Sequence, residues 1–263
     1  MERSVGQKLI GAFVVGGLIA VVAQVVMMVV GMMMPAPEMV PPVTLVVLGL
    51  IGMALVLTGN YEKLNEVGGF GAGIMFCGLV DAVAGVFMGG AMSEGGKASG
   101  GVKAAIKFAV GILGTLIVVG TVLGIVFAHT PGVLASMAPS TANPGMLIFL
   151  YAFLMGGLIS IIGQALLEFT PLPLPALILA NAAAGMVLAL CGVSTMLETL
   201  TGAGIAATVV DAGAGAVLGG ATFVLAGTPA RAIILLMVMV LVVVMGIICG
   251  NILLKRAQQG GRA

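Results

Sequence analysis

Asp81 and Asp211 are the only aspartates in the 263 residues, and both lie deep in apolar stretches. An acid there can hold a cation, pass a proton or cap a helix. The two occur in one phrase: Asp81-Ala-Val-Ala-Gly-Val-Phe-Met-Gly-Gly-Ala91 returns as Asp211-Ala-Gly-Ala-Gly-Ala-Val-Leu-Gly-Gly-Ala221, seven of eleven positions identical. A second pair lies upstream, where Phe13-Val-Val-Gly-Gly-Leu-Ile-Ala-Val-Val-Ala-Gln24 matches Phe153-Leu-Met-Gly-Gly-Leu-Ile-Ser-Ile-Ile-Gly-Gln164. The separations are 211 − 81 = 130 and 153 − 13 = 140 residues, so the chain is a unit of about 130 residues present twice. Doubled units in a bilayer build solute pathways at the seam between halves.

Each candidate residue has a plain reading beside the sharper one. A charge in the bilayer normally faces protein or a water-filled cavity, which makes Asp81 and Asp211 pathway candidates. Capping the helix that follows is the plain alternative. Gln24 and Gln164 either line that path or hydrogen-bond to a neighbouring helix. Lys97, Lys103 and Lys107 precede an apolar helix, with the last two on one face; they anchor headgroups or draw an anion to a vestibule. Gly16, Gly17, Gly156 and Gly157, with the spaced pairs Gly85/Gly89 and Gly215/Gly219, read as close-packing positions at the seam.

Stepping from these residues to the elements that must hold them, apolar residues make up 61% of the chain and charged residues 7%. That composition cannot clothe a water-facing domain, which carries about a quarter charged residues. The reading is an all-α integral membrane protein of two repeated units. Unit 1 covers residues 1–130 and unit 2 residues 145–254, with a connecting loop at 131–144 and a basic tail at 255–263. Long helices are expected near 9–34, 42–59, 104–128, 145–168, 174–193 and 230–254. The glycine-rich stretches 60–102 and 194–228 are expected to be broken or re-entrant, because glycine interrupts helices. If neither crosses, there are six spans, nine of ten Lys and Arg share one side, and the second unit is inverted. If both cross, there are eight spans and a six-to-four split. The positive-inside rule favours six, with both termini cytoplasmic.

The apolar N-terminal run is itself part of the repeat and is expected to be retained rather than cleaved. A net charge of +1 gives no bulk attraction for nucleic acid. Cys77, Cys191 and Cys249 show no metal or disulfide spacing and are expected to be buried thiols. Gly96-Lys97 lacks the rest of a phosphate loop, and His129 has no nucleophile–base set around it. Neither an enzyme nor a metal or other cofactor site is indicated.

The repeated phrases also carry a family resemblance. Phe-x-x-Gly-Gly-x-Ile-x-x-x-x-Gln at 13–24 and 153–164 resembles the start of the stage V sporulation A membrane proteins, the AC and AE members. Tyr61-Glu-Lys-Leu-Asn-Glu66-Val-Gly-Gly-Phe-Gly-Ala-Gly73 is similar to their tyrosine-leucine-glutamate-glycine segment. Ser93-Glu-Gly-Gly-Lys97 through Lys103 to Lys107-Phe108 resembles the stretch leading into their last helix. Unit 2 keeps Gly202-Ala-Gly204, with Thr199 where Glu66 would fall. The family's usual single unit is fused in tandem here, and its Pro-x-Thr-Gly-Phe segment is replaced by Ile74-Met-Phe-Cys-Gly78 and Ala206-Ala-Thr-Val-Val210. The resemblance implies a channel or channel subunit of the spore inner membrane that moves dipicolinic acid, as its calcium chelate, in sporulation and germination. Implied partners are the lipid bilayer and other membrane subunits or further copies of the chain. The alternatives are a non-conducting assembly subunit and a transporter of another small solute.

Overall fold

An apolar helix carrying a Gly-Gly pair leaves a notch that only a close neighbour can fill, and each unit fills the other's. The computed structural model describes residues 3–73, 76–138, 140 and 144–260. Helix α1 (Val5–Met33) opens on a capping box, in which Ser4 Oγ accepts from Gln7 N–H and the Gln7 side chain accepts from Ser4 N–H. It continues through α2 (Val40–Leu57), α3 (Asn60–Gly68), α4 (Phe70–Gly73) and α5 (Phe76–Ser93). Next come α6 (Ala98–Ala109), a π-helical turn at Val110–Gly114, α7 (Thr115–Phe127) and α8 (Pro131–Met137). Unit 2 follows with α9 (Ile148–Phe169), α10 (Leu174–Cys191), α11 (Ser194–Thr201), α12 (Ala203–Ala206), α13 (Val209–Ala226) and α14 (Ala230–Gly260).

Helices α1 and α9 cross at their Gly-Gly pairs. A Cβ on Gly17 would lie 2.8 Å from the Phe153 carbonyl oxygen, and one on Gly157 would lie 2.9 Å from that of Phe13. Gly16 abuts Ser160 and the Gly156 carbonyl in the same crossing. The Phe13 and Phe153 rings meet edge to face, 5.6 Å between centroids. The helices run antiparallel, since Lys8 at the start of α1 pairs with Glu168 at the end of α9 at 3.0 Å. Equivalent residues thus meet about a pseudo-twofold axis across the helices, and unit 2 is unit 1 turned over. This is the inverted-repeat arrangement.

Among the described residues, eight helices are long and apolar enough to cross a membrane. Their contacts show that two of them, α5 and α13, start at mid-depth. Helix α5 lies parallel to the second half of α14: Val80 and Val83 against Gly246, Phe87 against Gly250, and the Gly96 carbonyl accepting from Gln258 at 2.8 Å. Gly246 is near the middle of α14, so α5 begins there and runs to one end of the bundle. Helix α13 begins against the middle of α10, with Val210 against Gly185, and runs along α7 to the other end, with Ala216 against Gly120 and Val217 against Gly124. Each glycine-rich stretch therefore enters and leaves on the same face, and six helical paths run end to end.

The two ends are unlike in charge. At the first end Arg3 donates to the Glu66 carbonyl at 2.6 Å and Arg256 to that of Leu57 at 2.6 Å. Lys8, Lys63, Lys97, Lys103, Lys107 and Lys255 lie toward that end, whereas Arg231 starts α14 at the other; Arg262 falls outside the described residues. Around the bundle, Ile10, Val14, Leu18, Val22, Val25 and Val29 form an exposed apolar stripe along α1, a surface that hydrocarbon covers without penalty.

Several expectations are corrected. The connecting segment 131–144 contains α8, anchored by buried Val133 and by Ser136 Oγ donating to the Ala189 carbonyl at 2.9 Å. The basic tail is helical through Gly260, because α14 does not stop at residue 254. Cys77 and Cys249 are buried, but Cys191 is exposed at the end of α10. Gly85 and Gly89 face open space instead of packing a neighbour, since α6 lies on Gly90 and Phe87 of α5. In unit 2, Gly219 does pack, on Ala232 of α14, and a Cβ on Gly215 would lie 3.9 Å from Leu235.

Two predictions test this arrangement. With Cys77, Cys191 and Cys249 replaced, cysteines at Ser99 and Thr228 should react with an impermeant reagent from opposite sides of the membrane; reaction from the same side would mean that α5 and α13 cross. Gly17→Leu and Gly157→Leu should each destabilise the bundle by about 1–3 kcal/mol through overpacking. Gly85→Leu should leave thermal stability in detergent unchanged, and equal melting of all three variants would refute the assigned crossing.

Candidate functional site

Breaking a helix inside a membrane leaves backbone N–H groups that must find acceptors. Gly69 and Gly202 make the breaks, with φ/ψ of 47/−125° and 50/−128°, a region open to glycine but strained for other residues. Gly69 N–H donates to Asn65 O at 2.8 Å and Gly202 N–H to Glu198 O at 2.7 Å. The next N–H in each unit, Phe70 and Ala203, is accepted by a side chain of the other unit. Gln164 Oε1 takes Phe70 N–H and Gln24 Oε1 takes Ala203 N–H, both at 2.8 Å. Both glutamines are almost fully buried. They cap the broken helices reciprocally.

The two broken segments then meet, with Phe76 N–H donating to the Ala207 carbonyl at 3.1 Å. Phe70, Ala72, Phe76, Ile205 and Ala207 are buried around that point. On either side of this apolar waist lies a cavity at the seam between units.

The first cavity, about 700 Å³, is lined by Arg3, Lys8, Asn65, Glu66, Asp81, Gln164 and Glu168, with Phe70, Leu174 and Ile178 among its apolar walls. Asp81 sits in the second turn of α5 and accepts from Asn65 Nδ2 at 2.8 Å. Lys8 Nζ reaches both Glu168 oxygens at 3.0 Å, and Gln164 Nε2 donates to Glu168 Oε1 at 2.9 Å. A connected polar chain thus runs from Lys8 through Glu168 and Gln164 to the Phe70 N–H at the helix break. Tyr61 fixes the far side of the break by donating to the Ala72 carbonyl at 2.5 Å.

The second cavity, about 490 Å³, opens toward the other end. It is lined by Glu38, Ser194, Glu198, Asp211, Thr228 and Arg231, with Pro41, Pro42, Leu45 and Leu218 as apolar wall. Glu198 occupies the place that Asn65 holds in unit 1, four residues before the helix-breaking glycine. Burial pushes its carboxyl pKa up, and the nearby Arg231 opposes that shift. One aspartate lines each cavity, on opposite sides of the waist.

Of the residues singled out from sequence, Asp81, Asp211 and Gln164 line the cavities. Gln24 performs the equivalent capping on the other side. Neither aspartate is an N-cap: Thr208 precedes α13, and Asp81 lies inside α5. Lys97, Lys103 and Lys107 line neither cavity; Lys103 pairs with Glu94 at 3.5 Å on the exposed surface. The cations that do line the cavities are Arg3, Lys8 and Arg231. In the sequence these looked like topology signals only. Asn65 was inside a quoted motif, and the Gly69/Gly202 register would have placed Glu198 opposite it.

Residues 8–130 match the family model of the SpoVAC/SpoVAEB sporulation membrane proteins. The first unit belongs to that family. The match spans most of α1 through α7, and the second unit, outside the match, repeats its glycine and glutamine motifs. A search of the curated proteins and of the solved structures finds no match.

The capping pairs carry their own prediction. Gln24→Leu and Gln164→Leu each leave one buried N–H without an acceptor, an effect of about 1–3 kcal/mol. Gly69→Ala and Gly202→Ala should be at least as damaging, because their side chain would strike the same glutamine. Thermal unfolding in detergent measures all four, and wild-type melting of both glutamine variants would show that the caps do not hold the breaks.

Proposed function

We propose that the chain is a channel or channel subunit for a small organic anion in the spore membrane, with dipicolinate accompanied by calcium as the cargo, rather than an enzyme. The observation that carries this reading is the pair of seam cavities, one toward each end, each containing one of the two aspartates. Arg3, on the wall of the first cavity, suits a carboxylate. Asp81 and Asp211 suit the accompanying calcium, since a free dianion would be repelled. The apolar waist at Phe76 and Ala207 is then the closed gate. The cation-rich end is assigned to the cytoplasm by the positive-inside rule, which puts both termini there.

A second reading is a non-conducting assembly subunit. The exposed Gly85 and Gly89 on an apolar helix favour it, since small residues let another membrane helix approach closely.

Purified chain in liposomes loaded with dipicolinate and calcium decides between them. Efflux above protein-free liposomes is expected, and Asp81→Asn should change its rate by about tenfold, the worth of one charge-assisted hydrogen bond. Absence of efflux from correctly reconstituted protein would leave the assembly reading standing.

A further inference from the structure

The two cavities share a backbone and differ in chemistry at one matched pair of residues. In unit 1 the pair is an amide and a carboxylate, Asn65 donating to Asp81 at 2.8 Å. In unit 2 the corresponding residues are Glu198 and Asp211, two carboxylates lining one cavity. Neither of these makes an ion pair within 4 Å or a side-chain hydrogen bond among the described residues; Arg231, at the exposed start of α14, lines the same cavity. Ser194 lines the same cavity, is 4% exposed, and its Oγ is a buried side-chain oxygen without a hydrogen-bond partner among the described residues. An unpartnered buried hydroxyl is unusual in a folded protein and calls for a missing partner.

We propose that the cavity around Asp211, Glu198 and Ser194 is a binding site for a small organic ammonium ion with an apolar body. An ammonium group has three N–H donors and no acceptor, and the cavity offers two carboxylates and a hydroxyl oxygen. Its single positive charge suits a cavity in which two carboxyl groups are lined up with one cation, Arg231. The walls accept the rest of such a molecule, because Pro42, Leu45, Leu218 and Leu235 present hydrocarbon. The first cavity is unsuited to the same ligand, since Asn65 already supplies Asp81's donor and Lys8 neutralises Glu168.

The test is equilibrium binding without any solute gradient, so its failure is distinct from failure of the efflux experiment. Full-length protein in nanodiscs of zwitterionic lipid is titrated calorimetrically with cyclohexylammonium, with empty nanodiscs as the blank. Saturable binding is expected, with cyclohexanol and cyclohexanecarboxylate at least tenfold weaker. Glu198→Asn rebuilds in unit 2 the amide–carboxylate pair that unit 1 already folds with, so it should be monodisperse on size exclusion and lose at least tenfold in affinity. Asp211→Asn should lose as much, and Ser194→Ala a smaller factor. Equal affinity for cyclohexanol would reduce the site to an apolar pocket. Calcium binding tighter than cyclohexylammonium, or unchanged ammonium affinity in monodisperse Glu198→Asn, would overturn the proposal.

Discussion

A helix that stops in the middle of a bilayer leaves N–H groups where no water can reach them, and the fold depends on how they are satisfied. Here the acceptor for each break comes from the opposite unit, through Gln164 for Phe70 and Gln24 for Ala203. An unsatisfied group of this kind in an apolar medium costs several kcal/mol, so neither broken segment is stable in its place without the other unit's first helix. That makes the α1–α9 crossing more than a packing contact. Gly16, Gly17, Gly156 and Gly157 bring the helices close, and the closeness lets each glutamine reach across.

Pseudo-symmetry holds where backbone geometry is at stake and lapses where charge is at stake. The break glycines agree within a few degrees in φ and ψ, and the capping distances are equal. The side chains that line the resulting cavities do not correspond. Lys8 and Glu168 form an ion pair across the seam on one side, whereas the positions equivalent to them in the other units are Ile148 and Met28. Among the described residues Gln24 caps its helix without a further side-chain partner. The two vestibules thus face different solutions with different electrostatics while sharing one scaffold.

Much of the fold was legible because it rests on signals that survive without an alignment. Length and apolarity marked the crossing helices, the repeat marked two units, and the Lys and Arg count marked re-entrant segments and inversion. The Gly-Gly pairs were readable as seam residues because they recur at matched positions next to phenylalanine. The site was only partly legible. A glutamine in an apolar helix announces a hydrogen bond but not its partner, and the partners lie 94 and 179 residues away. Gly85 and Gly89 misled, since α6 and α14 pack on α5 through Gly90, Val83 and Phe87 and leave the face of those two glycines open. Lys97, Lys103 and Lys107 looked like a vestibule because charge near an apolar helix carries no information about which face it occupies.

The waist between the cavities shows how such a scaffold holds its pathway shut. Phe76 N–H and the Ala207 carbonyl join the two broken segments by one backbone hydrogen bond, and buried Phe70, Phe76 and Ile205 fill the space around it. Breaking this bond leaves one buried N–H without its acceptor, about 1–3 kcal/mol, whereas parting the units at α1–α9 would free two and lose the helix crossing as well. The strong contacts therefore lie at the periphery of the broken segments and the weak one lies on the axis. Separating α4–α5 from α12–α13 at the waist would leave each capped by its glutamine and anchored at its own end of the bundle. The energetic order of these contacts makes the waist the first place for the two halves to part.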